Sequence, residues 1–384
     1  MKKTLLLDTN ISSFPIYNYL INAGHFVYVI GSNPEDYLAK ISPNYIDLDY
    51  RKISEVTALI ESLEIEYIVP GCNDVSYACC VQLNANGKYT GLDSYEKSEI
   101  INNKEKFRIF ATEHHLSIPK LLDRNSENID HPIIIKPVDA YSGRGVTVIK
   151  KSEKEAVENA IQLAENFSTT KTCIIEEFVE GPLFSHSAFI SSGKIMLDFI
   201  VEEHGSANPF AVDTSRVVYN FSSTLLEKIR AEILLMSDKL SLQDGLIHTQ
   251  FIARDEQFWI IEITRRCPGD LYSQLIEIST DFKYAEMYAK PFVRVPMAID
   301  NSELKSRFIL RHTISQSEEI KFSSLEFKIP VQIERYFSLA KSGDLIAKSP
   351  FGRIGLLFLK CTSESEIKSL LSMTVKRGLY SIRD

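Results

Sequence analysis

The sequence carries no Cys-x-x-Cys pair, no excess of basic charge and no apolar run of membrane-spanning length. Each absence removes a class of function. The six cysteines (72, 79, 80, 173, 267 and 361) form neither a zinc-type spacing nor an even disulfide framework, so reduced thiols in a cytoplasmic protein are expected. Cys79-Cys80 reads as helix packing. A formal net charge of −8 argues against nucleic acid or an anionic membrane as the main partner, since both need a basic face. The N-terminal "MKKTLLLDTN" imitates a signal peptide only briefly, because its apolar run stops at Asp8. No GxxxxGK[ST], GxGxxG or HExxH occurs, which excludes a helix-opening phosphate loop, the dinucleotide fingerprint and the zincin pair. Neither a Ser/His/Asp order nor a Cys-His pair stands out, and repeats and low-complexity linkers are absent.

What remains is a soluble globular composition, 44% hydrophobic and 24% charged, long enough for two or three domains. The first hundred residues alternate strand and helix: "KTLLLD", "FPIYNYLINAG", "HFVYVIG", "SEVTALIESLE", "IEYIVPG" and "DVSYACCVQLN". This βαβαβα rhythm predicts a parallel sheet covered on both faces. "PGCND" follows a strand at its carboxyl end, where open α/β sheets bind ligands. Asn73 and Asp74 are therefore candidate substrate residues, although a helix N-cap is the plainer reading. "SEIINNKEKFRIFATEHHLSIPK" reads as one helix and its exit, with His114-His115 on the surface. From about 100 to 300 the pattern becomes α+β with antiparallel hairpins, and residues 301–384 look like a small strand-rich appendage ending in a helix.

Three constellations could carry chemistry. In "HPIIIKPVDAYSGRGVTVIK" (131–150), two strands bracket Ser142, Gly143, Arg144, Gly145 and Val146. A hairpin tip of this kind can present backbone N–H groups to an anion, with Lys136 aimed from the preceding strand. It can equally be a surface turn. In "HTQFIARDEQFWIIEITRR", Glu262, Thr264 and Arg266 share one strand face. A three-residue turn at Asp255–Gln257 would set Gln250 opposite Glu262, at a Cβ separation of about 5 Å suited to sharing a hard cation. A two-residue turn would put them on opposite faces. Glu262 interrupts an apolar run, and a carboxylate so placed needs a partner or a metal. His248 would share the face of Gln250. In "IIEEFVEGP" (174–182), Glu176 and Glu177 by themselves suggest only a solvated face.

The order and spacing of "NNK", "IIIKPVDAYSGRGV", "IIEEFVEGP" and Gln250…Glu262-x-Thr264-x-Arg266 resemble the ATP-grasp superfamily, in particular its carboxylate–amine ligases and the nucleotide-binding halves of carbamoyl-phosphate synthetase. The resemblance implies an α/β plus α+β architecture: a Rossmann-like N-terminal domain (1–98), a two-subdomain ATP-grasp domain (99–300) with a mobile lid at about 115–180, and an α+β appendage (301–384). It implies that Lys104 and Lys136 contact the triphosphate, with Ser142 to Val146 forming a flap over it. Glu176 with the backbone of Phe178 and Val179 would receive adenine. Glu262, with Gln250 and Thr264, would hold Mg²⁺ (Mn²⁺ able to substitute). Arg266 would steady the transferred phosphoryl group. Arg216, Cys267, Gly269 and Asp270 join Asn73 and Asp74 as candidate substrate contacts. Three positions depart from the family pattern: Gln250 for an acid, Thr264 for asparagine and Leu183 for the ribose-binding acid. The implied partners are a small-molecule carboxylate and amine, and a homodimer is compatible with the sequence. Two other outcomes stay open: phosphorylation of a small acid or bicarbonate without amide formation, and a non-catalytic nucleotide-binding protein.

Overall fold

A computed structural model describes residues 2–124, 131–141, 143–150, 154–299 and 304–383. Ser142, at the tip of the glycine hairpin, lies outside the described residues.

The parallel sheet has four strands, in the order Tyr45–Asp47, Phe26–Gly31, Lys3–Leu7, Tyr67–Pro70. The strand Tyr45–Asp47 and the short helix Tyr37–Ile41 preceding it have no counterpart in the sequence reading, because that strand is only three residues long and half exposed. Leu5, Leu6 and Leu7 are fully buried, as a central strand covered on both faces requires. At the carboxyl ends Asp8 ties two loops together. Its Oδ2 accepts from Ser13 Oγ (2.6 Å) and from the Cys72 backbone N–H (3.1 Å). Gly71 is needed there, since a Cβ would lie 2.2 Å from the Asp8 Cβ.

The expected single helix near residue 100 is two, Tyr95–Asn102 and Lys104–Glu113. Asn103 separates them in an extended conformation and caps the second by accepting from the Lys106 N–H at 3.0 Å. Lys104 is thereby placed at a helix start, with Arg108 one turn further on.

The main body is an eight-stranded antiparallel sheet in the order Gln257–Thr264, Gly245–Arg254, Leu183–Ser191, Lys194–His204, Thr214–Val217, Phe308–Ile314, Gly355–Cys361, Ile333–Ser338. Helix Ser223–Lys239 buries Leu225, Ile229, Ile233 and Met236 against one half of it, and helix Glu364–Val375 buries Ile367, Leu370 and Leu371 against the other. Three strands of the C-terminal segment thus continue the main sheet, and after the helix the chain forms a further strand, Tyr380–Arg383. The expectation of an appendage ending in a helix is corrected on this point. A smaller sheet, Thr147–Ile149, Ile133–Pro137 and Cys173–Glu177, carries the glycine hairpin and packs on helix Lys154–Phe167 through Ile133, Ile135, Ile161 and Ile175. Among the described residues no helix is long and apolar enough to cross a membrane.

Candidate active site

The hairpin of Gly245–Arg254 and Gln257–Thr264 closes through a two-residue turn, since Arg254 pairs with Gln257. That turn alone would set Gln250 opposite Ile261. A bulge between Gln250 and Phe251 shifts the register, so that Phe251 pairs with Ile260 and Gln250 with Glu262. The expected juxtaposition therefore exists, produced by a bulge instead of a three-residue turn. Ile261 is the extra residue, and its carbonyl accepts from Arg108 Nη2 at 2.8 Å. Arg108, fully buried, also donates to Glu176. One guanidinium thus pins the bulge to the small sheet.

The two faces of the hairpin differ. Phe251, Ile260 and Ile263 are buried in the core, while His248, Gln250, Glu262, Thr264 and Arg266 line a cavity of about 580 Å³. Lys104 Nζ reaches Glu262 Oε1 at 2.9 Å and the Ala140 carbonyl at 2.9 Å, joining helix start, main sheet and glycine hairpin. Arg266 forms a bidentate pair with Asp74 (3.0 and 2.9 Å), and Thr264 Oγ1 donates to the same carboxylate at 3.3 Å. Burial works against the Arg266 charge, but Asp74 and Glu262 raise its pKa above the ordinary value. Asn73 lines the cavity and also caps helix Asp74–Leu83, accepting from the Ser76 N–H at 2.8 Å.

Gln250 donates through Nε2 to Glu203 at 2.6 Å, and Ser185 Oγ donates to the same carboxylate at 2.7 Å. A carboxylate partner fixes the amide orientation, so the Gln250 oxygen is left for a cation. Burial raises the pKa of Glu203. The donor set of Glu262 carboxylate, Gln250 amide oxygen and Thr264 hydroxyl is composed of hard oxygens and fits Mg²⁺. No group of three or more His, Cys, Asp or Glu side chains among the described residues could hold a metal by itself, so phosphate oxygens would have to complete the shell.

Other expected residues lie elsewhere. Glu176 is wholly buried between Lys136 and Arg108, its carboxylate spent on that ion pair. Burial alone would raise its pKa, and the two cations hold it low. The Phe178 N–H donates to the Pro132 carbonyl at 2.9 Å, so this backbone donor is occupied, and Val179 is buried. Lys136 is also buried, and burial pulls its pKa down against the opposing charge of Glu176. Gly143 and Arg144 line the cavity; Gly145 packs on Phe167 and Pro137, where a Cβ would come within 2.9–3.0 Å. Neither Gly145 nor Val146 lines the cavity. Arg216 pairs with Glu202 (2.7 Å) and Glu364 (2.9 Å) on the opposite sheet face, and Cys267 is fully buried behind Arg266. Both are corrected as cavity contacts: alternation turns Arg216 away, and the Cys267 side chain points into the core. Gly269 and Asp270 do line the cavity.

Sequence reasoning missed Arg108 and Glu203, and also Tyr141 and Arg311, which line the cavity. Arg108 was accessible from its i+4 spacing to Lys104, and Glu203 from its place on the face shared with the buried Phe199 and Val201.

One wall is built by the loop before Thr214. Asp213 Oδ2 accepts from Ser206 Oγ (2.6 Å) and the Ser206 N–H (2.9 Å), holding Phe210 against Gly143. Below it His312 Nδ1 meets Thr214 Oγ1 at 2.8 Å, and Nε2 meets the Tyr380 hydroxyl at 2.5 Å. Burial pushes the His312 pKa down to about 4, with Asp213 opposing and Arg311 and Arg377 assisting. The unfolded chain takes up this proton near 6.5 and the folded chain only near 4. Stability should therefore fall as pH drops through that window. His312→Gln should make the decline in urea midpoint between pH 7 and 5 shallower; identical slopes for both proteins would contradict the assignment.

Residues 129–274 match the family model for the ATP-grasp domain. The formate-dependent phosphoribosylglycinamide formyltransferase of Pseudomonas aeruginosa is 29% identical over 292 residues, covering 70% of this chain and 69% of that protein. Cyanophycin synthetase of Crocosphaera subtropica is 42% identical over 66 residues, 17% of this chain, and the chain spans only 7% of that protein's length. Among solved structures, the L-amino acid ligase of Bacillus licheniformis superposes with a TM-score of 0.81 at 16% identity, covering 100% of this chain and 98% of that one. The phosphoribosylglycinamide synthetase of Anaerococcus prevotii gives 0.75 at 18% identity, covering 100% and 99%. The matched segment and the order of its motifs agree: residues 129–274 resemble the ATP-grasp domain, and the whole chain shares the fold of those two structures.

Proposed function

We propose that the protein is an ATP- and Mg²⁺-dependent ligase that activates a substrate carboxylate as an acyl phosphate and joins it to an amine. The observation that carries this reading is convergence at one cavity. Lys104 meets Glu262 across 158 positions of sequence, and Arg266 meets Asp74 across 192. The relatives named as synthetases and ligases support it.

A carboxylate oxygen of the substrate attacks the γ-phosphorus, the bond to the β-phosphate oxygen breaks, and ADP leaves. An amine then attacks the acyl carbon, loses a proton and expels phosphate. Such transfer depends on positioning and charge neutralisation more than on a covalent residue. Lys104 and Arg266 supply cationic charge at the cavity, and Lys136 adds its field from beneath, locked by Glu176. Glu262, Gln250 and Thr264 would hold Mg²⁺, which would supply charge neutralisation for the transferring phosphoryl group. The glycine hairpin closes the cavity and excludes water from the acyl phosphate. The three-part division at residues 98 and 300, with a lid at about 115–180, and a cytoplasmic setting for six free thiols belong to the same reading.

Gly143 sits at φ +69°, and a Cβ there would lie 2.6 Å from the Phe210 carbonyl oxygen. Gly143→Ala should therefore hold the hairpin off the cavity wall, with KM for ATP raised about tenfold. An unchanged KM would contradict a closing role for this hairpin. For the activity itself, ATP, Mg²⁺ and pooled carboxylates and amines should yield ADP. Failure to release ADP over a broad panel, together with no nucleotide binding by calorimetry, would overturn the proposal.

A further inference from the structure

A second cavity, of about 440 Å³, lies where helix Phe14–Asn22, the start of helix Tyr272–Thr280 and the outermost strand of the main sheet, Ile333–Ser338, meet. It shares no lining residue with the catalytic cavity. Small-molecule sites typically occupy about 300–1,000 Å³. Its walls include the rings of Phe14, Tyr336 and Phe337, together with Asn18, Arg335 and Leu271. The rings are held from behind. Phe14 meets Tyr37 edge-on at 5.1 Å, Phe337 meets Phe358 at 6.2 Å, and Tyr336 rests on Gly355, where a Cβ would lie 2.7 Å from its ring. A flat ligand therefore finds its aromatic contacts already formed, and little has to be ordered when it enters.

Two features of this cavity serve neither the fold nor the reaction. Arg335 Nη1 donates to the side-chain oxygen of Gln274, a neutral acceptor, and Gln274 in turn donates to Glu277. The Glu277 carboxylate also accepts from the Ala285 N–H at 3.0 Å, so Arg335 approaches it only through the amide. The second feature is backbone strain. Asp270 and Leu271 stand side by side in left-handed conformations, at φ +52° and +55°. Non-glycine residues held in this way cost free energy and gather at ligand clamps and switch regions. Leu271 is buried and lines the second cavity. Asp270 lines the catalytic one, bound there by Thr313 Oγ1 (3.0 Å), by Arg353 and, at its carbonyl, by Arg311 (2.9 Å). One strained turn is thus a wall of both.

We infer that this second cavity is an effector site for a planar aromatic carboxylate, which acts on the catalytic cavity through the Asp270–Leu271 turn. The ring stacks among Phe14, Tyr336 and Phe337, and the carboxylate takes the remaining N–H groups of Arg335 in charge-assisted hydrogen bonds. A ligand packed on Leu271 favours the strained form of the turn over a relaxed one, and so keeps Asp270 on the catalytic wall. Binding stands apart from the ligase reading above; the effect on turnover rests on it.

The test is thermal melting of the full chain with benzoate, 2-naphthoate and indole-3-acetate, each set against its own carboxamide and against cyclohexanecarboxylate. At least one aromatic carboxylate should raise Tm by about 3 °C or more at saturation, while its carboxamide and the saturated acid do not. The shift should disappear in Arg335→Gln and shrink in Tyr336→Ala, both exposed positions, with the shift given by Mg²⁺ and the non-hydrolysable analogue AMP-PNP retained. The same ligand should slow hydrogen exchange across Phe308–Ile314, whose Arg311 and Thr313 line the catalytic cavity alone. In the ADP-release assay it should lower KM for the substrate carboxylate about threefold. No shift with any aromatic carboxylate, equal shifts with the amides, or shifts unchanged in both variants would overturn the site. So would a Tm that rises with protein concentration and falls in Tyr336→Ala, since a second copy would then fill the groove. Unchanged exchange at Phe308–Ile314, or a KM that does not fall, would overturn the coupling. Failure of the ligase reading shows separately, as absent ADP release while the melting and exchange results stand.

Discussion

Glu262→Gln is expected to lower ADP release at saturating substrates by about a thousandfold. The substitution keeps the shape and removes the one carboxylate of the hard-oxygen set formed with Gln250 and Thr264. Gln250 is already an amide turned by Glu203, so no second acid of that set compensates. Lys104 also loses its partner at 2.9 Å, although this pair is partly exposed and contributes little to stability. Steady-state rates and calorimetric nucleotide affinity at fixed Mg²⁺ separate the effects: kcat should collapse while the melting temperature moves little. A loss smaller than tenfold would remove Glu262 from the reaction.

The other large effect concerns stability. Glu176→Ala should lower the unfolding free energy by about 3–5 kcal/mol, because it leaves Lys136 and Arg108 buried with like charges and no counter-ion. Arg108 would then also hold the Ile261 bulge less firmly, so the Gln250–Glu262 register should loosen. Urea unfolding measures the first consequence. If the chief role of Glu176 were contact with adenine, the variant would lose nucleotide affinity and keep its midpoint. A midpoint unchanged within error would contradict the buried-cluster account.

Much of the architecture was legible because it is local. The apolar runs Ile133–Ile135 and Phe258–Ile261 mark strands, and Gly24 and Gly193, both at positive φ, punctuate elements where the sequence suggests. Pairings across long separations were not legible. The partnership of Arg311 with Ser215 depends on the pairing of strands about a hundred residues apart, and no local signal announces it. The facing of Gln250 and Glu262 came out as expected through different geometry, since a bulge is invisible to a turn-length argument. Glu176 illustrates the converse. Two adjacent glutamates in a strand look like a solvated face, yet alternation buries one of them among cations contributed by a helix and a neighbouring strand.

Activation of a carboxylate as an acyl phosphate at the Glu262–Arg266 cavity, as proposed, makes a trappable intermediate. Hydroxylamine intercepts such an intermediate as a hydroxamate without requiring the natural amine. Incubation with ATP, Mg²⁺, pooled carboxylates and hydroxylamine should yield a hydroxamate, detected by mass spectrometry, in equal amount to ADP, and none with Glu262→Gln. ADP release with no hydroxamate from any carboxylate, or hydroxamate formation undiminished in Glu262→Gln, would contradict it.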